Sequence, residues 1–328
     1  MRERWRVLGL LIVSLLVVSS GLAAGNTQVL LPLVLTSSWT PAQPALKYVV
    51  STVHFPHKSS EDAYDLNGDG QPDDQWGQLV GGFQGTDTDI DGNEQAAIAA
   101  GTIVQLATLA STDPTLMNDP HASTTLLAGV SQKTDFSGAG HFVVDPTIPG
   151  GTANGTLASG IFASADPATT STPTTYLLKI AFMDTTPVVL PLNGVHIRWQ
   201  AQSGPPARLV AGQINGSIKE TDIQKYLVPA IARALTAIVQ ANPPKPSSMQ
   251  LESLFDGGGC TNPDGSKAQA HDKIIDPCEV SQNAEVGSLL APDVQIYDAI
   301  GKYAPNPANT KPDSFSFGFA FEAVQAQY

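Results

Sequence analysis

A chain of 328 residues, 42% of them hydrophobic and only 14% charged, is able to bury a core, which excludes an intrinsically disordered protein. Its formal net charge of −13 disfavours nucleic acid and anionic lipid as partners and favours metal cations. We therefore expect no nucleic-acid partner. The 29 glycines and 25 prolines favour many short strands joined by turns over a helical bundle.

Residues 1–25 have the organisation of a secretory signal peptide. Arg2, Arg4 and Arg6 form a basic n-region, Val7–Val18 is an apolar h-region, and small residues follow up to a predicted cleavage site near Ala23–Gly25. We therefore expect a protein that is secreted, periplasmic or held at the cell surface, without membrane contact after cleavage. The alternative is an uncleaved membrane anchor, for which the apolar run is short.

Residues 26–45 are predicted to be a linker, because Thr36–Ala45 is polar and contains two prolines. Residues 46–328 are predicted to form a single α+β domain, mainly antiparallel β in a sandwich-like sheet with a few packed helices. The first strand is expected at Lys47–Phe55, and short helices are expected at Gln75–Phe83 and Glu94–Ala100.

Strand-like runs separated by turn residues dominate the middle of the chain. They are Thr102–Leu109, Thr124–Val130, His141–Val144, Thr156–Ala163, Thr175–Met183, Val195–Ala201 and Leu209–Ile218. Asn-Gly pairs favour two-residue hairpin turns, and the chain has three of them, at 154–155, 193–194 and 215–216. We therefore predict antiparallel hairpins at these three places.

One long amphipathic helix is predicted at residues 221–241. Thr221–Gln224 has the form of a capping box, and an apolar stripe recurs at intervals of about four residues. The stripe consists of Ile223, Leu227, Ile231, Leu235 and Ile238. Pro229 is expected to kink the helix, since proline has no N–H to donate.

The C-terminal run Phe315–Tyr328 is predicted to be a strand with one buried aromatic face. Its phenylalanines alternate with small residues, as the two faces of a strand require. They are Phe315, Phe317, Phe319 and Phe321. We expect this strand to lie beside the first one, because the two ends of a domain often lie close together.

The acidic loop at residues 65–76 is the strongest candidate for a functional site. Calcium takes six to eight oxygen ligands, and alternate residues of a tight turn direct their oxygens inward. Asp65, Asn67, Asp69 and Asp73 occupy positions one, three, five and nine, and Gln71 offers its backbone carbonyl. Gly70 stands at the sixth position, where glycine lets the chain bend. The predicted cofactor is therefore Ca²⁺.

This loop resembles the EF-hand-like loops of dockerins and thrombospondin type 3 repeats. The resemblance covers about a dozen residues and implies that Asp65, Asn67, Asp69 and Asp73 are calcium ligands. The chain departs from the pattern at the twelfth position, where Trp76 replaces the usual bidentate acid.

Other acids are therefore candidates for the missing ligand. They are Asp74, Asp62 and Glu61 near the loop, together with Asp87, Asp89 and Asp91, which could also form a second, poorer site. A dockerin-type module is disfavoured, because dockerins need two complete loops in tandem.

The whole chain is also similar to a group of exported bacterial proteins to which no activity is attached. The similarity rests on the early strand before the acidic loop, on Gly216–Ile223 entering a helix, and on Leu289–Asp293 before a terminal strand. It supports the domain limits and implies no activity.

Cys260 and Cys278 are the only cysteines, and they lie in one polar, turn-rich stretch. In an oxidising compartment such a pair is expected to form a disulfide bond. His54 and His57 are the pair of residues that most resembles part of a zinc site. The sequence shows no third ligand beside them, and Pro56 between them is unfavourable for such a site. We therefore do not predict a zinc site there.

No catalytic residues are predicted, since no nucleophile elbow or phosphate-binding loop is present. The function expected from the sequence is an exported calcium-binding protein that is non-enzymatic and acts as a structural or interaction protein. Its partner would be an extracellular or cell-surface protein or polysaccharide. The alternative is a secreted hydrolase, a glycosidase or a protease, with a structural calcium ion. A pocket with a Ser–His pair or convergent carboxylates would favour this alternative.

Overall fold

The structure, a computed structural model, describes residues 45–84 and 88–328 of the chain. The predicted signal peptide lies outside these residues, as does the predicted linker except for its last residue, Ala45. Within the described ranges, no helix is long and apolar enough to cross a bilayer.

The described strands form one continuous antiparallel sheet. They are β1 (Leu46–His54), β2 (Gln105–Ala110), β3 (Asn118–Ala128), β4 (Gly151–Ala158), β5 (Ile161–Ser164), β6 (Thr175–Ala181), β7 (Pro187–Gln202), β8 (Arg208–Lys219) and β9 (Ser314–Gln325). Their order is β5-β4-β3-β2-β1-β9-β8-β7-β6, and β5 also pairs with β7. The sheet therefore closes upon itself through eight strands, with β6 added beside β7.

The helices of the described residues are short and lie between residues 75 and 100 and between residues 220 and 289. They are α1 (Gln75–Gly82), α2 (Ile90–Ala100), α3 (Glu220–Asp222), α4 (Val228–Val239), α5 (Ser248–Phe255), α6 (Pro277–Gln282) and α7 (Ala284–Leu289). The predicted class, α+β and mainly antiparallel β with a few packed helices, is confirmed.

The predicted neighbourhood of the first and last strands is confirmed. β1 pairs with β9, for example Val53 with Phe321, and β9 pairs on its other side with β8. The four alternating phenylalanines of β9 are all buried, as predicted. The opposite face is buried at its N-terminal end, where Ser314 and Ser316 are completely inaccessible to solvent, and is exposed at Glu322.

The helix predicted at 221–241 is present but is divided into three parts. α3 runs directly into a π-helical turn at Ile223–Leu227, and α4 follows with Pro229 in its first turn. All five residues of the predicted apolar stripe are buried. The predicted capping box is wrong: the helix begins at Glu220, and its N-cap, Lys219, makes no side-chain cap.

The three predicted Asn-Gly hairpin turns are also wrong, because all three pairs lie inside strands β4, β7 and β8. At Gly155 the strands approach so closely that a Cβ atom would lie 2.1 Å from the carbonyl oxygen of Ala163. Gly194 has φ +63° and lies at a register shift between β7 and β8. These glycines allow close approach and irregular pairing rather than chain reversal.

Two strand predictions in the middle of the chain also need correction. His141–Val144 forms only isolated bridges, from His141 to Gln327 and from Val144 to Gly129, so its ends pair with different segments and no ladder develops. The single run predicted at Thr156–Ala163 is the hairpin formed by β4 and β5.

Candidate metal-binding sites

The acidic loop Asp65–Asp73 is a tight turn between β1 and α1. Its ends are joined by a backbone hydrogen bond from the Asp73 N–H to the Tyr64 carbonyl, at 3.0 Å. Gly68 and Gly70 have φ angles of +83° and +84°, in the left-handed region that favours glycine. Glycine at these two positions therefore lets the loop reverse direction within a few residues.

Side chains at alternate positions of the loop turn towards its own backbone. The Asp65 carboxylate accepts the N–H groups of Gly68 at 2.7 Å, Asp69 at 3.1 Å and Gly70 at 2.7 Å. The Asn67 side-chain oxygen accepts the Asp69 N–H at 3.0 Å, and Asp69 accepts the Gln71 N–H at 2.7 Å. Oxygens of predicted ligands are thus gathered around one turn.

Asp73, at the ninth position, is partly buried and accepts the Leu66 N–H at 3.0 Å. Burial raises the pKa of Asp73 to about 7 against the effect of this hydrogen bond, and the carboxylates of Asp293, Asp69 and Asp65 contribute to the rise. The negative charges therefore repel one another in a partly dehydrated site, where a divalent cation would relieve the repulsion.

Asp74 lies deeper than the loop and caps α1. One of its oxygens accepts the Gly77 N–H at 3.1 Å, while the other, Oδ2, is buried and has no hydrogen-bond partner in the described part of the chain. Burial raises the pKa of Asp74 to about 8 against the Gly77 hydrogen bond, and the carboxylates of Asp293, Asp62 and Glu61 also favour the protonated form. The sequence named three of these acids, Asp74, Asp62 and Glu61, as candidate extra ligands.

Asp293 is the acid that sequence reasoning missed. It lies beyond α7 and accepts the Ser316 N–H at 2.7 Å and the Ser316 hydroxyl. Burial raises the pKa of Asp293 to about 6, although these hydrogen bonds oppose the rise. In the sequence, Asp293 stands out only as the last residue of the Leu289–Asp293 segment before the terminal strand. That segment does not indicate that Asp293 lies within electrostatic reach of Asp73 and Asp74.

Trp76, at the twelfth position, is a core residue. It is fully buried, and its ring packs against Phe317 with centroids 4.6 Å apart, Phe182 at 4.8 Å and Phe55 at 5.4 Å. Because the residue after the loop anchors α1 in the core, the loop itself supplies no acid at this position.

The second acidic cluster is divided between different tasks. Asp89 caps α2 by accepting the Gly92 N–H at 2.9 Å, and Asp87 lies outside the described residues. Asp91 accepts the Phe55 N–H at 2.9 Å through Oδ1. Its other oxygen, Oδ2, lies 3.1 Å from His54 Nδ1 and 3.1 Å from His57 Nε2.

His54, His57 and Asp91 thus form a group of metal-ligand atoms, all within 4.8 Å of one another. The sequence alone does not predict this group, because no third ligand lies beside the two histidines in the chain. The third ligand, Asp91, is 34 residues from His57 in the sequence. It lies in the first turn of α2, beside the end of β1.

One Ser–His contact bears on the hydrolase alternative. Ser164 Oγ lies 3.1 Å from His196 Nδ1, and both residues are buried. Ser164 Oγ also accepts the Ile197 N–H at 2.9 Å, and burial lowers the pKa of His196 to about 4. A histidine with so low a pKa is a weak general base near neutral pH.

The predicted disulfide bond between Cys260 and Cys278 is confirmed, and the two residues are buried beside Ala268.

Comparisons with protein-family models, with curated proteins and with solved structures gave no match.

Proposed function

We propose that this chain is an exported calcium-binding protein without enzymatic activity, in which one ion at the Asp65–Asp73 loop stabilises the connection between β1 and α1. The observation that carries the proposal is the convergence of Asp65, Asn67 and Asp69 around one glycine-containing turn. Asp73, held in the same loop with a pKa raised to about 7, supplies a further carboxyl.

The deeper acids support a structural role for the ion. Asp74 and Asp293 place two further carboxyl groups behind the loop, and repulsion from Asp293 helps to raise the pKa of both Asp73 and Asp74. Among the described residues, one Asp74 oxygen has no hydrogen-bond partner. An ion that offsets this repulsion would stabilise the folded state more than it would switch between two states. We expect modest affinity, suited to the calcium-rich surroundings of a secreted, periplasmic or cell-surface protein.

The disulfide bond supports export, because such bonds persist in oxidising compartments. Outside the cell, the protein would act through an interaction with a surface protein or a polysaccharide. The loop remains similar to those of dockerins and thrombospondin type 3 repeats, and we carry over from them only the calcium ligands.

Calcium titration calorimetry of the full-length chain tests this proposal. We expect saturable binding in the wild type, and a loss of affinity in Asp69→Ala. Asp145→Ala is the matched control: Asp145 makes a similar local turn, accepting the Thr147 N–H at 2.9 Å, but lies outside the acidic loop. Absence of binding at millimolar calcium, or equal binding by Asp69→Ala, would refute the proposal.

A secreted hydrolase is the second candidate, and the Ser164–His196 contact is the observation that favours it. A cleft of about 400 Å³ beside Ser164 is also lined by His121 and Asn154. Labelling of the wild type by a fluorophosphonate probe, with loss of labelling in Ser164→Ala, would support this candidate. We expect no labelling, because the Ile197 N–H engages the serine oxygen and His196 is a weak base.

A further inference from the structure

We propose that His54, His57 and Asp91 form a second metal site, distinct from the calcium loop, that binds a divalent transition-metal ion of the zinc type. Imidazole nitrogens suit zinc, copper, nickel and iron, whereas calcium prefers a shell made entirely of oxygens. The two proposed sites therefore differ in ligand chemistry.

The distances fit a single ion. With bonds of about 2.0–2.1 Å, a tetrahedral zinc ion separates its ligand atoms by about 3.3 Å. Asp91 Oδ2 lies 3.1 Å from a nitrogen of each histidine, which is close to this separation. Small side-chain movements would therefore be enough to admit the ion.

Packing in the core positions the segment that carries the two histidines. Phe55, between the histidines, is fully buried and packs against Trp76 and Phe319. The two histidine rings lie 5.7 Å apart and nearly parallel, with an interplanar angle of 19°. Burial of Phe55 in the core thus places both imidazole rings next to Asp91, although Pro56 lies between the two histidines in the sequence.

A second layer of contacts orients the ligands, as is usual at metal sites. The Phe55 N–H binds Asp91 Oδ1 at 2.9 Å and leaves Oδ2 directed at the histidines. His57 Nδ1 contacts the side-chain amide of Gln84, so that its Nε2 atom faces Asp91. The amide of Gln84 accepts the Nδ1–H once its oxygen is turned towards the ring.

The site faces solvent. The His54 side chain is 58% exposed and that of Asp91 is 29% exposed, so an ion could enter without opening the fold. Three protein ligands leave at least one position for water or for a group of a partner molecule. The ion would join the end of β1 to the start of α2.

Zinc titration calorimetry of the full-length chain, with calcium already saturating, tests the site separately from the calcium loop. We expect zinc to bind the wild type, and Asp91→Asn and His54→Gln each to weaken binding by more than about tenfold. His121→Ala, which removes an exposed histidine elsewhere, is the matched control and should bind as the wild type does. Because His54 is the most exposed ligand, His54→Gln tests the site with the least risk of misfolding.

Cobalt provides a second measurement, since the visible ligand-field bands of Co²⁺ become intense when the hydrated ion enters a four-coordinate protein site. We expect ligand-field bands in the wild type and in His121→Ala, and their loss in His54→Gln. No zinc binding by the wild type, or equal binding by all variants, would overturn the proposal. Failure of the calcium proposal would appear separately, as an absence of calcium binding while zinc still binds.

Discussion

Asp293 accepts two hydrogen bonds from Ser316, one from the N–H at 2.7 Å and the other from the hydroxyl. The same hydroxyl oxygen accepts the Gln75 N–H at 2.7 Å. One fully buried serine in β9 therefore holds the first residue of α1 and the segment that follows α7. This contact places the carboxyl group of Asp293, whose pKa is also raised, within electrostatic reach of Asp73 and Asp74.

We expect Ser316→Ala to lower the free energy of unfolding by about 1–3 kcal/mol, because it leaves the buried Gln75 N–H and an Asp293 oxygen without their partner. Urea unfolding measures the change. Ser51→Ala in β1 is the control, since Ser51 is only half-buried and makes a longer bond of 3.3 Å to the Glu322 carbonyl. Equal destabilisation by the two substitutions would contradict the role assigned to Ser316.

Gly70→Ala should destabilise the protein by about 1 kcal/mol, because φ +84° is costly for an L-residue with a Cβ atom. The effect should come from the backbone alone, since no described atom beyond the neighbouring residues lies within 4 Å of the added Cβ. Gly257→Ala is the matched control: it also has open space but lacks a positive φ. Urea unfolding that shows the same change for both variants would be evidence against a left-handed residue at position 70.

Glu94 should make stability fall as pH rises. It is fully buried, it accepts the Ala181 N–H, and burial raises its pKa to about 8 from 4.5. Between about pH 4.5 and 8 the folded state therefore holds a proton that the unfolded state has lost. The stability that this proton contributes is complete below about pH 4.5 and is lost as pH rises through the folded pKa.

Thermal unfolding from pH 5 to 8.5 in the presence of a chelator measures this dependence. Glu94→Gln should gain stability relative to the wild type as pH rises, because the amide does not ionise. Glu322→Gln, at an exposed position on β9, is the control and should remain parallel to the wild type. A Glu94→Gln profile that is also parallel would show that Glu94 is not the group responsible.

Loss of the disulfide bond should lower the free energy of unfolding by about 3 kcal/mol, in the chain-entropy model for a loop of this size. Cys260 and Cys278 are separated by 18 positions. The double variant Cys260→Ala/Cys278→Ala should therefore unfold at lower urea than the wild type. A reducing agent should shift the wild type to the same midpoint and leave the double variant unchanged; a shift of both would place the effect of the reductant elsewhere.

Local patterns predicted much of the fold. The apolar stripe of the 221–241 helix and the alternating phenylalanines of β9 are determined by burial, which the sequence records directly as periodicity. The three wrong hairpin predictions have a common cause. Asn-Gly pairs favour turns locally, but in β4, β7 and β8 the pairing of neighbouring strands prevails.

The candidate sites were predictable only where their residues are close in sequence. Asp65–Asp73 forms one turn, so spacing alone identifies it. Asp293 contacts Ser316 across 23 positions, and Asp91 contacts His57 across 34 positions. Both contacts are created by packing of distant segments, which residue spacing does not encode.

The most direct test of the calcium proposal is the thermal midpoint of the full-length chain in calcium and in chelator. Calcium at about 100 times its dissociation constant stabilises a folded state that alone binds it by about 2.7 kcal/mol. We therefore predict a higher midpoint for the wild type in millimolar calcium and no calcium-dependent rise for Asp69→Ala. An unchanged wild-type midpoint would contradict calcium binding at Asp65–Asp73.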